Sequence, residues 1–234
     1  MRAIIVFIFL SVLQSIHSPE LFSCPVFFCQ ITPSDTMTGE NFPYNGRIWR
    51  DIYSTVRDDQ FLFSKDFLPG SIKFNGIVYN GLKARYDIFL DELQIITEAG
   101  NILQINKEMT NDFTLIYNSN KYRFVKLEFN DNPGLCGFAD IRYEGKSSLF
   151  LKHKKEISKT APGKSYENFL QSDYIYALID SVPHRIRNKN DFLRILGSRR
   201  KEVSDYLKLN RLKINVKKPE TLVQVLKYYD SIER

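Results

Sequence analysis

Between Ser71 and Glu156 the chain reverses direction too often to form anything but an antiparallel sheet. Runs rich in Val, Ile, Tyr and Phe alternate with connections of two to five residues, among them Asn75-Gly76, Asn80-Gly81, Asp91-Glu92, Asn118-Ser119-Asn120 and Glu144-Gly145. Parallel neighbours need a crossover of about a dozen residues, and none of these connections is long enough. Asn-Gly is also the strongest two-residue hairpin signal, because a type I′ turn needs positive φ at both central positions. Eight or nine strands result, expected to pair in sequence as a β-meander. A twisted meander of that size curls or closes on itself to cover its edges. The expectation is therefore a curved sheet or a partial barrel.

After Glu156 a polar loop, Ser158 to Lys164, leads to a further β-type run, Tyr174 to Ile179. That run is expected to pair with His184 to Arg187 across Asp180–Pro183. From Asn190 the apolar period changes from two to about 3.6. Asn190 is read as the cap of a helix through Leu196, stopped by Gly197. Ser198 is read as the cap of a second helix ending at Asn210. Pro219 opens a third, with Leu222, Val223, Leu226 and Tyr229 as its apolar stripe. The fold class is thus mainly β with a C-terminal α part.

Charge divides the chain more sharply than hydropathy does. From Pro183 to Arg234 there are 14 Lys and Arg against 6 Asp and Glu, a net of +8, whereas the other 182 residues hold 19 against 21, a net of −2. An anionic partner would have to be met by this segment alone. Its expected outer faces carry Arg199, Arg200, Lys201, Lys208, Arg211, Lys213, Lys217 and Lys218.

At the other end, Arg2 precedes the apolar run Ala3 to Leu13, and a second apolar patch, Leu21 to Cys29, follows QSIHSPE. The first run is too short to span a bilayer comfortably and reads as part of a secretory signal cut before Gln30. Two other readings stay open: lipidation at Cys24, and an uncleaved anchor. The division is then a signal peptide over 1–29, an extended arm over 30–70, a meander domain over 71–187 and a basic helical subdomain over 188–234. Within the arm, Arg47 to Val56 has the spacing of a short amphipathic helix or an irregular lid, and Trp49, the sole tryptophan, is expected to plug one end of the sheet.

No stretch carries recognised catalytic or cofactor chemistry. The phosphate-cradling glycine loops, the HExxH and CxxC spacings, the EF-hand loop and GxSxG are all absent. Neither a metal nor a cofactor is implied. Cys136 is the one cysteine beyond the leader; with apolar neighbours it reads as a small buried hydrophobe rather than a nucleophile. Neither His153 nor His184 has an evident orienting carboxylate in sequence. Asp87, Asp91, Glu92, Glu128, Asp131 and Asp140 are candidates for acid–base work only if folding brings two of them together.

Tyr79-x-Gly81-x4-Tyr86-Asp87-x3-Asp91-x-Leu93, the strand-turn-strand from Tyr143-Glu144-Gly145 to Lys152 with the Lys-rich stretch after it, and the ending Leu212-Lys213 to Tyr228-Tyr229-Asp230 resemble a family of secreted, uncharacterised proteins of Bacteroidota. The resemblance covers about residues 65–232. It implies export to the periplasm or cell surface and brings no established activity. Such bacteria O-glycosylate exported proteins at Asp-Ser/Thr before an apolar or methyl-bearing residue, so the resemblance also implies Thr36, Ser181 and Ser231 as glycan acceptors. The expected function is a non-enzymatic binding or accessory module of the cell envelope, docking on an anionic polymer or an envelope protein; export argues against nucleic acid. The alternative is an enzyme of unrecognised type with a site in an open end of the sheet.

Overall fold

The computed structural model describes residues 36–38, 42, 44–129, 132–158, 167–216 and 218–232. The leader, with Cys24 and the expected cleavage point, lies outside them, as do Asp131 and Lys217. Ser34–Arg234 form one compact unit. Its strands are β1 (Thr36–Thr38), β2 (Gly46–Ile48), β3 (Leu68–Phe74), β4 (Ile77–Asp87), β5 (Glu92–Ile96), β6 (Ile102–Ile105), β7 (Thr110–Tyr117), β8 (Asn120–Leu127), β9 (Gly137–Glu144), β10 (Ser148–Ile157), β11 (Phe169–Ile179) and β12 (Val182–Ile186). Three helices close the chain: α1 (Lys189–Ile195), α2 (Arg200–Leu209) and α3 (Glu220–Ile232).

Mainly antiparallel pairing and a C-terminal helical part are thus observed. The spatial order is β12-β11-β10-β9-β8-β7-β3-β4-β5-β6-β2, with β12 and β2 at the ends and no closure into a barrel. Short β1 adds a parallel pairing beside β4. The order is not fully sequential. β7 pairs with β3 instead of β6, whose other edge is taken by β2. A hairpin signal is local and fixes the next strand only when the turn is tight; the connection from β6 to β7 runs through a short 3-10 turn at Lys107–Met109.

Turn chemistry decides several details. Asn75-Gly76, Asn118-Ser119 and Asp180-Ser181 each place both central residues at positive φ, as type I′ turns do. Asn80-Gly81 is not a turn. β4 runs straight through it, and the register slips there: Gly70 faces Leu82 while Ser71 faces Asn80. Gly81, at φ 74, is the extra residue of a β-bulge. Around Arg47 to Val56, β2 is a strand and the remainder is irregular, so the segment is not the amphipathic helix its spacing allows. Trp49 is half-buried, edge-on to Phe61 at 6.1 Å and 4.6 Å from the Arg85 guanidinium.

The sheet curls strongly. Tyr86 on β4 and Phe138 on β9 are separated by β3, β7 and β8, a distance of about 19 Å across a flat sheet at ~4.8 Å per strand. Their ring centroids are 6.1 Å apart. Tyr86, Phe113, Phe124 and Phe138 fill the inside of the curl, each at most 1% exposed. Phe113 and Phe124 face each other in register and stack at 4.7 Å.

A second core lies between the helices and one face of β10–β12. Leu149, Leu151, Ile175, Ala177, Ile179 and Ile186 receive Phe192, Leu193, Val203, Leu207, Leu222, Val225, Leu226 and Tyr229. The cap of α1 is Asn188 rather than Asn190; its side chain accepts from the Asp191 amide. The segment Gly197–Arg199 is a 3-10 turn feeding α2, and no side chain caps that helix, so Ser198 does not. Asn210 ends α2, as its sequence suggests. The Pro219 carbonyl accepts the Val223 amide at 3.0 Å and opens α3. Asp230 fastens α3 to the β9–β10 hairpin, accepting from Tyr143 Oη at 2.8 Å and from the Ser147 amide at 3.0 Å. Burial, then Asp230, pushes the Tyr143 phenol up to about 12.

Candidate functional site

The inside of the curl is filled by side chains, so any site must lie on its rim or outside. Three concavities have distinct chemistry. The largest, about 820 Å³, is lined by Tyr44, Phe67, Asn80 to Lys83, Ile96 to Glu98 and Gly100. The other two lie on opposite faces of β10, which turns Lys152 to one side and His153 to the other.

On the Lys152 side, the structure ties the curl with one carboxylate. Asp91, at φ 58 in the turn after β4, accepts from the Tyr86 hydroxyl, the Lys107 ammonium and Lys152 Nζ, the last at 3.0 Å. Lys152 also donates to the Phe138 carbonyl at 2.8 Å. Burial pushes the Lys152 ammonium down, against the opposing pull of Asp91. Burial and then Asp91 push the Tyr86 phenol well up. A Cβ on Gly137 would land on the Asp91 carboxylate, and its φ of 87 suits glycine alone. A pocket of about 340 Å³ opens beside this knot, with Cys136, Tyr174, Tyr176 and Arg185 on its walls. The Cys136 thiol donates to the Phe129 carbonyl at 3.1 Å. Its contacts are those of a satisfied, half-buried side chain.

On the other face, four neighbouring strands present a polar cleft of about 470 Å³. His153 Nδ1 lies 2.8 Å from Asp173 Oδ1 on β11, its direct cross-strand partner. His153 Nε2 lies 3.8 Å from Asp140 Oδ2 on β9, a contact of charges rather than a hydrogen bond. Arg142 approaches the same Asp140 oxygen at 2.6 Å. Burial lowers the affinity of His153 for a proton, but the two carboxylates outweigh it and the net shift is upward. Burial raises the Asp173 carboxyl, but His153 outweighs it and the net shift is downward. The irregular segment before β3 forms one wall. Lys155 anchors it, donating to the Asp59 carbonyl at 2.7 Å and the Phe61 carbonyl at 2.6 Å. Pro219 and Glu220, at the start of α3, form the other wall. Sequence reasoning missed this cluster: it found no orienting carboxylate for His153 because both come from adjacent strands. Strand register was the missing information; Asp173 stands opposite His153 only once β10 and β11 are paired.

The remaining sequence candidates separate. Asp87 is fully buried and accepts the Phe89 and Leu90 amides at 3.0 and 2.9 Å, closing the turn after β4. Glu92 pairs with Arg47 at 2.9 Å and Glu128 with Lys126 at 3.0 Å. Burial pushes the Asp87 carboxyl up to about 6 from 3.8. A raised carboxyl stabilises the fold below pH 3.8, and that contribution, about 3 kcal/mol at most, is lost as pH rises through about 6. Asp87→Asn should therefore flatten the stability profile between these values and melt above wild type at pH 8. A steeper profile by urea titration at several pH values would refute this.

The structure divides the eight basic candidates. Arg199, Arg200 and Lys201 sit at the N-terminal end of α2; Lys208 lies at its C-terminal end, with Arg211 and Lys213 in the loop beyond. Lys208, Arg211 and Lys213 line a shallow groove of about 220 Å³ together with Lys189, which sequence reasoning did not single out. Lys218 lies apart, just before α3. Of the glycan-acceptor candidates, Ser181 is exposed at the tip of the β11–β12 hairpin. Ser231 is exposed in the last turn of α3, its hydroxyl donating to the Tyr228 carbonyl at 2.6 Å. Thr36 lies in β1. Among the described residues no helix is long and apolar enough to cross a membrane, and no three His, Cys, Asp or Glu side chains are placed to hold a metal ion together.

Comparison with protein-family models, with curated proteins and with solved structures returned no match.

Proposed function

We propose that the chain is an exported binding module of the bacterial cell envelope, without catalysis of its own. It docks on an anionic polysaccharide through the basic groove at the end of α2. The observation that carries this reading is the convergence of Lys189, Lys208, Arg211 and Lys213 on one groove. Among the described residues only Lys208 of the four has an ion-pair partner, Asp205 at 3.3 Å. Folding does not require these charges there: the apolar side of α2, Val203 and Leu207, already packs into the helical core. The cations at the other end support the same reading. Arg199, Arg200 and Lys201 stand at the positive end of the α2 dipole, where each costs a few tenths of a kcal/mol, and Glu202 answers only Arg199.

Lipopolysaccharide, rich in phosphate, is the probe. Wild type should bind it at low salt and release it at high salt. Lys208→Glu with Arg211→Glu and Lys213→Glu should bind at least about tenfold more weakly with an unchanged melting temperature. Equal binding by the charge-reversed variant, or capture from native envelopes of a protein alone, would overturn the reading.

A further inference from the structure

We propose that the cleft around His153 is a second binding site, specific for a neutral, hydroxyl-rich ligand: a saccharide without charged substituents. It is separate from the basic groove and does not rest on it. The charge balance of the cleft selects the ligand class. Arg142 is held by Asp140, His153 by Asp173, and Lys155 by Asp59 at 3.2 Å. Every cation of the cleft thus already faces a carboxylate inside the protein. An anionic ligand would lose its hydration without meeting a free counter-charge. A hydroxyl group, which donates and accepts at once, loses little and matches what is left over.

Hydrogen-bonding capacity is left over. Arg142 Nε and His153 Nε2 are buried with no hydrogen-bond partner among the described residues, an arrangement that costs stability wherever nothing fills it. Asp173 is half-exposed, and its Oδ1 takes both His153 and the Gln171 amide, the latter at 3.1 Å. Planar carboxylate, guanidinium and carboxamide groups at one cleft suit the paired hydroxyls of a sugar ring.

An aromatic wall supplies the apolar half of the site. Phe63 stacks on Tyr117 at 4.9 Å and meets Tyr122 at 4.5 Å, and the Arg142 guanidinium lies 5.1 Å from the Tyr122 ring. Phe63 is held at φ 66, a conformation that a bulky residue adopts only at a cost of about 1–3 kcal/mol and that concentrates at functional sites. Its ring is half-buried: it lines the cleft and packs against the edge of the core. Aromatic carbon beside polar groups offers the C–H groups of a sugar ring an apolar contact.

The test uses the full chain and a panel of neutral tetrasaccharides of glucose, mannose, xylose and N-acetylglucosamine, with oligogalacturonate as the anionic control. Saturation-transfer NMR and calorimetry should detect at least one neutral sugar, bound saturably, and no preference for the anionic one. Asp173→Asn should weaken that binding by about tenfold or more. Gln171→Ala removes an exposed side chain bonded only to Asp173, so it should fold as wild type and weaken binding by a smaller factor. The charge-reversed α2 variant should bind the sugar unchanged, which separates this site from the basic groove. No binding across the neutral panel, a preference for oligogalacturonate, or undiminished affinity in Gln171→Ala and Asp173→Asn would each overturn the proposal.

Discussion

Asp91→Ala is expected to lower the unfolding free energy by about 3–5 kcal/mol, the range for removing one partner of a buried ion pair. The side chain it strips of its partner is Lys152, whose side chain is 10% exposed and whose ammonium is left with only the Phe138 carbonyl. The Tyr86 hydroxyl loses its carboxylate too and keeps a 3.2 Å contact to the same carbonyl. Both effects fall where the curl is drawn together, because Asp91 follows β4 while Phe138 and Lys152 belong to β9 and β10. Two controls separate an unpaired charge from a lost contact. Lys152→Met removes the stranded charge along with the pair, and because replacing a buried ion pair by apolar volume is often neutral, its effect should be much smaller. Lys107→Met removes a cation that is 31% exposed and should also be mild. Urea titration of the three variants measures the ranking, and an Asp91→Ala loss no larger than that of Lys152→Met would refute the clasp.

The strands were legible in the sequence because alternation and turn chemistry are local. Asn75-Gly76 and Asn118-Ser119 mark turns that the structure contains. The same dipeptide logic misread Asn80-Gly81, since a glycine at positive φ serves a bulge as well as a turn, and only the partner strand distinguishes them. The return of β7 to β3 was illegible for a related reason: a strand's choice of edge depends on which edges are already taken. Helix ends at Asn210 and Pro219 were read from residues that act on their own backbone, whereas the α1 cap was placed two residues late. The site was far less legible than the fold. His153, Asp173 and Asp140 carry no spacing signal, because register across β9, β10 and β11 assembles them. The basic residues were visible as a composition shift, but their division into a groove and a separate helix end needed the length of α2, and Lys189 entered only when α1 packed beside it.

Phe124→Ala should be as damaging as loss of the clasp, at about 3–5 kcal/mol, for a different reason. Phe124 is fully buried at the centre of the curl, stacked on Phe113 and 5.3 Å from Tyr86. Deleting its ring removes the transfer energy of a fully buried phenyl group packed on two other aromatic rings and leaves a cavity that a curled sheet cannot readily collapse. The ring also lies 6.4 Å from His153, so it supports the floor of the polar cleft from the core side. Phe124→Leu retains most of the volume and should lose no more than about 1.5 kcal/mol. The pair of variants then discriminates between two roles for the aromatic filling. If bulk alone matters, the leucine variant keeps both stability and any saccharide binding at His153. If ring geometry sets the cleft, leucine keeps stability but weakens that binding, and calorimetry on a protein that melts near wild type will register it.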